Sequence, residues 1–147
     1  MYFSVKRRVA VTLPEDELMK TTAWLLLLVL VSACSGKKQE YRAATDALDA
    51  GREYLNACME GDFSKAAFYT VPDDANKKLL QDTEKAYRNR DKEGRQQLRT
   101  ASININEVKE TNDTLTSIRY HLSFDTARHT LFVIKRDGNW LVDQTKL

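Results

Sequence analysis

The stretch K-R-D-G-N-W-L-V-D, residues 135–143, decides the fold because it joins two apolar strands through a tight turn. Its Asp137-Gly138 pair is typical of a two-residue β-hairpin, whose turn requires residues that tolerate positive φ. Alternating apolar residues upstream, with a turn signal at Asn112-Asp113, predict further strands. The predicted strands begin near Ile103 and then cover residues 114–124, 128–136 and 139–144. The sequence therefore predicts a four-stranded antiparallel meander.

Before residue 102 the apolar residues recur at three- and four-residue steps, which is the period of amphipathic helices. Gly61 is placed to end the first helix, and Asp62 to cap the second. Either Asp73 or Asp74 caps a third helix, which reaches about residue 90. The predicted helices cover residues 41–60, 63–69, 73–90 and 91–100. Helices followed by an antiparallel sheet predict an α+β fold with N-terminal helices packed on the sheet.

Both ends of this domain resemble nuclear-transport-factor-two-like domains. Residues 135–143 resemble their closing hairpin, and Y-L-N-A-C-M-E-G-D-F, residues 54–63, resembles their opening helix and turn. Small bacterial lipoproteins of unknown function share both ends. The resemblance implies a cone-shaped, cystatin-like domain with a curved four-stranded sheet over residues 41–147. The middle helices depart from the enzyme members of the superfamily, so the resemblance carries no catalytic residue to this chain.

Upstream of the domain lies the apolar run A-W-L-L-L-L-V-L-V-S-A-C, residues 23–34. Its apolar core, eleven residues long, is shorter than the roughly 20 residues needed to cross a bilayer. It matches the core of a secretory signal, with Lys20 as the basic flank. The tetrad V-S-A-C, residues 31–34, resembles the lipobox of bacterial lipoproteins. That resemblance implies cleavage between Ala33 and Cys34 and lipidation of the Cys34 thiol.

We therefore expect four segments. Acidic residues just ahead of the apolar run oppose the usual basic flank, so we expect translation to begin at Met19 and residues 1–18 to lie outside the translated protein. Residues 19–33 are then the signal peptide, 34–40 a lipidated linker and 41–147 the α+β domain. The polar spacer after Cys34 reaches only about 20 Å, which keeps the domain near its membrane. Ser35 resembles the sorting signal for the outer membrane, facing the periplasm.

The chain has 23 basic and 21 acidic residues, so its net charge does not indicate a nucleic-acid partner. Export would also separate the protein from cellular nucleic acid. The sequence contains no phosphate-binding glycine loop, nucleophile elbow or paired-carboxylate signature. We expect a non-enzyme with no catalytic residue, cofactor or metal. His121 and His129 would face each other if the turn between the second and third predicted strands centred on Asp125. Two imidazoles alone make a weak metal site. The favoured interpretation is that both are ordinary surface histidines.

Both faces of the last hairpin are apolar. A two-residue turn groups Trp140 with Leu131, Val133 and Val142, whereas a bulged turn groups it with Phe132 and Ile134. In either register the helices cover one face and leave the other bare, which is unusual on a monomer. The predicted interaction face, for a homodimer or an envelope protein, consists of Phe132, Ile134, Leu141 and Trp140.

The favoured hypothesis is a membrane-anchored periplasmic lipoprotein with a non-catalytic binding or protein-interaction domain. Its anchoring partner is membrane lipid, through acylated Cys34. The alternative is a small-molecule-binding or hydrolase- or isomerase-type domain that uses the cone cavity, where an acid–tyrosine pair would abstract a proton. Asp143 and several tyrosines supply such groups, although no spacing connects them. A third hypothesis is a structural envelope component whose cavity is filled by side chains.

Overall fold

A computed structural model describes residues 40–146, which form four helices followed by four strands. The helices are α1 (Ala47–Glu60), α2 (Phe63–Phe68), α3 (Asp74–Arg88) and α4 (Lys92–Thr100). The strands are β1 (Ile103–Asn112), β2 (Leu115–Leu122), β3 (His129–Arg136) and β4 (Asn139–Val142), followed by a 3-10 turn at Gln144–Lys146. The predicted α+β order is confirmed. The proposed signal peptide, the Ala33–Cys34 cleavage site, lipidated Cys34 and residues 1–18 lie outside the described residues.

Aspartates begin all four helices. The side chains of Asp46, Asp62, Asp73 and Asp91 each accept a hydrogen bond from the backbone N–H three residues further on. Such a cap satisfies one of the N–H groups that the first turn of a helix leaves without a partner. Among the described helices, none is long and apolar enough to span a membrane.

The first helix begins later than predicted, at Ala47 instead of residue 41. The residues before it are held by distant partners: the hydroxyl of Tyr69 donates to the carbonyl oxygen of Arg42 at 2.8 Å, and that of Tyr41 reaches Asp62 at 3.3 Å. The end of the helix is as predicted. Gly61 adopts φ 85°, and its N–H donates to the carbonyl of Ala57.

The sheet is open and curved, with strand order β1-β2-β3-β4 and antiparallel pairing throughout. Asp137 and Gly138 have φ values of 50° and 81° and lie between the paired residues Arg136 and Asn139, so the last hairpin has the two-residue turn and not the bulged one. Its register pairs Val133 with Val142 and Ile134 with Leu141. The free edge of β4 is covered by the connection between α2 and α3, since the N–H of Val142 donates to the carbonyl of Tyr69 at 2.7 Å.

This register separates the predicted interaction face into two. Directly paired residues share a face, and side chains alternate along each strand. Trp140 therefore lies with Val133 and Val142 on the inner face, which packs against α1. Phe132, Ile134 and Leu141 lie together on the outer face.

The core lies between α1 and the inner face of β2 to β4. Ile118, Val133 and Val142 are almost fully buried there, against the alanines of α1. The helix approaches the sheet closely at Gly51, where an added Cβ would lie 2.7 Å from Cδ1 of Ile118. The small residues of α1 thus allow the large side chains of the sheet to reach the helix backbone.

A buried polar cluster joins the start of α3 to the residues that follow β4. The side-chain amide of Asn76, which is fully buried at the start of α3, donates to Asp73 and to Asp143 and accepts the N–H of Gln144 at 2.7 Å. Burial raises the pKa of Asp143, but hydrogen bonds from Thr145 and Asn76 outweigh that effect and hold the pKa below its usual value. Asp143 is therefore an ionised structural acceptor that fixes the last residues on α3.

Candidate functional site

A cavity of about 370 Å³ lies between α1, α3, α4 and one end of the inner sheet face. Most of its lining side chains are apolar or aromatic, and they come from three helices, two strands and the β2–β3 loop. They are Tyr54, Leu55, Cys58, Met59, Thr83, Ala86, Tyr87, Arg90, Leu98, Tyr120, Leu122, Phe124, Asp125 and His129. The volume falls within the range of small-molecule sites, about 300–1,000 Å³.

The wall formed by α1 and β2 carries weakly polar groups. Tyr54 is 5% exposed, and its pKa is raised by burial and then by the neighbouring Cys58 thiol. Burial raises the pKa of Cys58 to about 11, against a smaller lowering by the hydrogen bond with Tyr54. Burial and the nearby thiol likewise raise the pKa of Tyr120 to about 12. These groups are neutral at physiological pH, so this wall can donate hydrogen bonds but presents no charge.

Charged side chains lie at the mouth of the cavity. Arg90, after the end of α3, is exposed. The aromatic ring of Phe124, in the β2–β3 loop, also lies at the mouth and is 40% exposed. Nε2 of His129 lies 3.7 Å from a carboxylate oxygen of Asp125, with both side chains more than 40% exposed. The imidazole of His129 also packs against the ring of Tyr120, its partner across the β2–β3 pair, at 5.4 Å between centroids.

Tyr87 forms the wall opposite the sheet. Its hydroxyl donates to the carbonyl of Glu60 at 3.2 Å and accepts from Arg99 at 3.1 Å, while its ring meets Phe63 edge-on. Those bonds tie α3 to the end of α1 and to α4. The cavity wall is therefore held by contacts among three helices.

The two histidines do not form a pair. Tyr120 is opposite His129, so the alternation of side chains places His129 on the inner face and His121 on the outer face. His121 instead lies beside the side chain of Asn106, at 3.0 Å. The alternative of facing imidazoles is thus wrong. It requires a turn centred on Asp125, whereas the pairing of Tyr120 with His129 centres the turn between Phe124 and Asp125. Within residues 40–146, no group of three or more His, Cys, Asp and Glu side chains could hold a metal ion.

The proposed acid–tyrosine pair is also separated. Asp143 belongs to the polar cluster around Asn76 and does not line the cavity, whereas Tyr54, Tyr87 and Tyr120 do. The carboxylate among the lining residues is that of Asp125, whose side chain is 42% exposed at the mouth. The structure thus brings together tyrosines and a thiol, with the acid at the rim.

Sequence reasoning missed the cavity residues Leu98 and Phe124. Leu98 is the one apolar side chain in the polar helix α4, which is a usable signal of a contact. Phe124 follows the end of β2 and stays exposed. Cys58, near the end of α1, is partly buried in the cavity wall.

Phe132, Ile134 and Leu141 are half-buried on the outer face, next to Leu115, which pairs with Ile134. They form one apolar patch across three strands. Trp140 contributes to a different surface, a groove of about 180 Å³ near the start of the domain.

No family model matches this sequence, and no curated protein matches it either. Among solved structures, the chain is similar to an NTF-2-like protein of unknown function from Shewanella oneidensis MR-1. The two are 16% identical, and the match covers 65% of this chain and 89% of the other, with a TM-score of 0.46. The likeness is one of fold.

Proposed function

We propose that this chain is an exported, lipid-anchored protein of the bacterial envelope whose α+β domain binds a small, uncharged apolar molecule in the cavity. The observation that carries the proposal is the cavity itself, which is lined by apolar and aromatic side chains and has a neutral inner wall. Burying an ion there without a partner would cost several kcal/mol, whereas an apolar body gains from leaving water. A polar end of the same ligand would remain at the mouth, beside Arg90 and Asp125.

The side chains of the inner wall keep their protons at physiological pH, and this favours ligand binding over catalysis. A thiol with a pKa of about 11 is protonated near pH 7 and is a poor nucleophile. Tyrosines with raised pKa values do not abstract protons at that pH. The lining carboxylate, Asp125, faces solvent rather than the inner wall. The groups available to a ligand are therefore hydrogen-bond donors and apolar surface.

The anchoring part of the proposal is supported by the sequence before the domain. A basic residue, a short apolar core and the V-S-A-C tetrad follow one another in the order of a lipoprotein signal. In this account Cys34 is the acylated first residue of the mature chain, and residues 35–40 tether the domain. Ser35 supports sorting to the outer membrane, with the domain facing the periplasm.

A cavity-blocking variant tests the ligand-binding proposal. Ala86 is an exposed helical residue at the cavity, so Ala86→Phe fills the cavity without replacing a core side chain. Ala75→Phe is the matched control, because Ala75 is an exposed alanine on the same helix that does not line the cavity. The probe is N-phenyl-1-naphthylamine, a neutral fluorophore, titrated into the purified full chain in detergent with a detergent blank.

We expect saturable binding of one probe per chain and a loss of affinity of about tenfold or more in Ala86→Phe, equivalent to at least 1.4 kcal/mol. Ala75→Phe should bind as the wild type does. Identical isotherms for the wild type and Ala86→Phe would contradict binding in this cavity.

A further inference from the structure

A second groove lies where the chain enters the domain, away from the cavity. Its walls come from the entry segment (Ala43 and Ala44), the end of α2 (Phe68 and Tyr69) and β4 (Trp140 and Leu141). The entry segment is fixed in place. The guanidinium of Arg42 lies 2.7 Å from the carboxylate of Asp49 and 3.0 Å from that of Glu53. The backbone carbonyl of Arg42 accepts a hydrogen bond from the hydroxyl of Tyr69.

Aromatic side chains surround this groove, and we call Tyr41, Phe68, Tyr69 and Trp140 the aromatic cluster. The ring of Phe68 packs against those of Tyr41 and Tyr69, at 5.6 Å and 5.1 Å, yet Phe68 remains 44% exposed. The ammonium group of Lys135 lies 5.4 Å from the ring centroid of Trp140. Tyr41 and Trp140 are partly buried and Tyr69 is buried, so Phe68 is the exposed ring and the others support it. Aromatic side chains with a neighbouring cation favour the interface between a bilayer and water.

The position of the proposed anchor decides what contacts this cluster. Between Cys34 and Tyr41 the chain has only the spacer S-G-K-K-Q-E, which spans about 20 Å when extended. An acylated Cys34 would therefore hold Tyr41, the first residue of the cluster, within that distance of the lipid surface, with the ring of Phe68 packed against it. Lys37 and Lys38 in the spacer, with Lys135 beside the cluster, add positive charge that suits anionic head groups.

We propose that the aromatic cluster is a membrane-docking surface that contacts the bilayer in which the acyl chains of Cys34 are inserted. This inference rests on the lipid anchor of the proposed function. The tether makes docking intramolecular, so a few interfacial aromatic residues suffice where they would bind too weakly alone.

Docking at this surface sets the orientation of the cavity. Lys135, beside Trp140, and His129, at the cavity mouth, lie at opposite ends of β3. Six residue-to-residue steps along the strand separate them, or about 20 Å. With the aromatic cluster on the lipid, the mouth of the cavity faces away from the membrane and is open to ligand from the periplasm.

Fluorescence of Trp140 tests the proposal directly. The chain has two tryptophans, Trp24 and Trp140, so Trp24→Phe leaves Trp140 as the single probe whether or not the signal is removed. The acylated full chain is reconstituted into phosphatidylethanolamine–phosphatidylglycerol vesicles, with and without bromine on the acyl chains. Because interfacial side chains lie at the boundary of head groups and acyl chains, we expect brominated lipid to remove roughly half of the Trp140 emission.

Phe68→Ser should abolish most of this quenching while the protein still floats with the vesicles. Val108→Ser is the matched control and should keep it, because Val108 is similarly exposed, at 42%, on β1 at the far edge of the sheet. Unquenched Trp140 in protein that floats with the vesicles would overturn docking and leave the anchor intact. Protein that does not float with the vesicles would overturn both the anchor and docking.

Discussion

At the scale of single residues, Cys58 has the most distinctive chemistry in the cavity. It lies between Tyr54 and Tyr120, and burial outweighs the hydrogen bond from Tyr54 to keep its proton on. At pH 8 only about a thousandth of such a thiol is ionised, compared with about a quarter of an unperturbed cysteine. Cys58 is therefore a sensitive reporter of the cavity.

Alkylation of Cys58 by iodoacetamide should be slow and should depend steeply on pH. With Cys34 acylated, or replaced in Cys34→Ala, Cys58 is the only thiol of the chain. We expect a rate at pH 8 roughly a hundredfold below that of the same chain in denaturant, because the thiolate is the reacting form. Since the pKa is raised, the rate should still be increasing at pH 9.5; mass spectrometry of the alkylated peptide measures it. A plateau below pH 9 would contradict the burial described here.

The helical period of the sequence predicts the first helix, which contains Cys58, but it does not distinguish core side chains from cavity side chains. Ala57 and Cys58 are consecutive residues of this helix, and the first is fully buried while the second faces the cavity. An apolar stripe reports that a side chain leaves water. It does not report whether the space beyond is filled, because that depends on α3 and α4, which are distant in sequence.

At the scale of elements, the fold depends on how closely α1 approaches the sheet. Gly51 faces Ile118, Leu131 and Val133, and a methyl group added to Gly51 would lie 2.7 Å, 3.3 Å and 3.7 Å from their side chains. Alanine is a better helix former than glycine by about 1 kcal/mol, whereas overpacking a core costs about 1–3 kcal/mol. The packing effect is the larger because all three neighbours are buried.

Gly51→Ala should therefore lower the free energy of unfolding by about 1 kcal/mol, despite the gain in helix propensity. Ile118→Val removes the Cδ1 atom that the new methyl group meets, so Gly51→Ala should cost less in that background. Chemical denaturation of the four chains of this double-mutant cycle measures the coupling. A stability increase from Gly51→Ala in the otherwise unchanged chain would contradict the close approach.

Element boundaries were predictable where local chemistry determines them. The cap at Asp62 and the stop at Gly61 are confirmed. Of the alternatives that the sequence left open, the structure has Asp73 as the cap of α3 and the two-residue turn at 137–138. The start of α1 was predicted wrongly because residues 41–45 bond to groups far along the chain, such as Tyr69 and Asp62. The face of Trp140 was left open by the sequence, and only the pairing of β3 with β4 decides it.

At the scale of the whole molecule, the outer sheet face predicts a partner. Phe132, Ile134 and Leu141 form an apolar patch with Leu115, and the predicted occupant is a second copy of the chain. Light scattering of the full chain, corrected for detergent, should give the mass of a dimer. Ile134→Lys should give a monomer, and Val108→Lys, on the far edge of the sheet, should not. A monomer at all concentrations would contradict dimerisation through this face.

The binding and docking proposals both place the domain at a membrane, through Cys34. The most direct measurement is the mass, with N-terminal fragmentation, of the protein extracted from membranes of a bacterium that expresses the full chain. We predict a mature chain that begins at Cys34 and carries a diacylglyceryl group on its thiol, and an unprocessed, unlipidated chain from Cys34→Ala. An unmodified Cys34, or a mature chain that retains residues 23–33, would contradict the account.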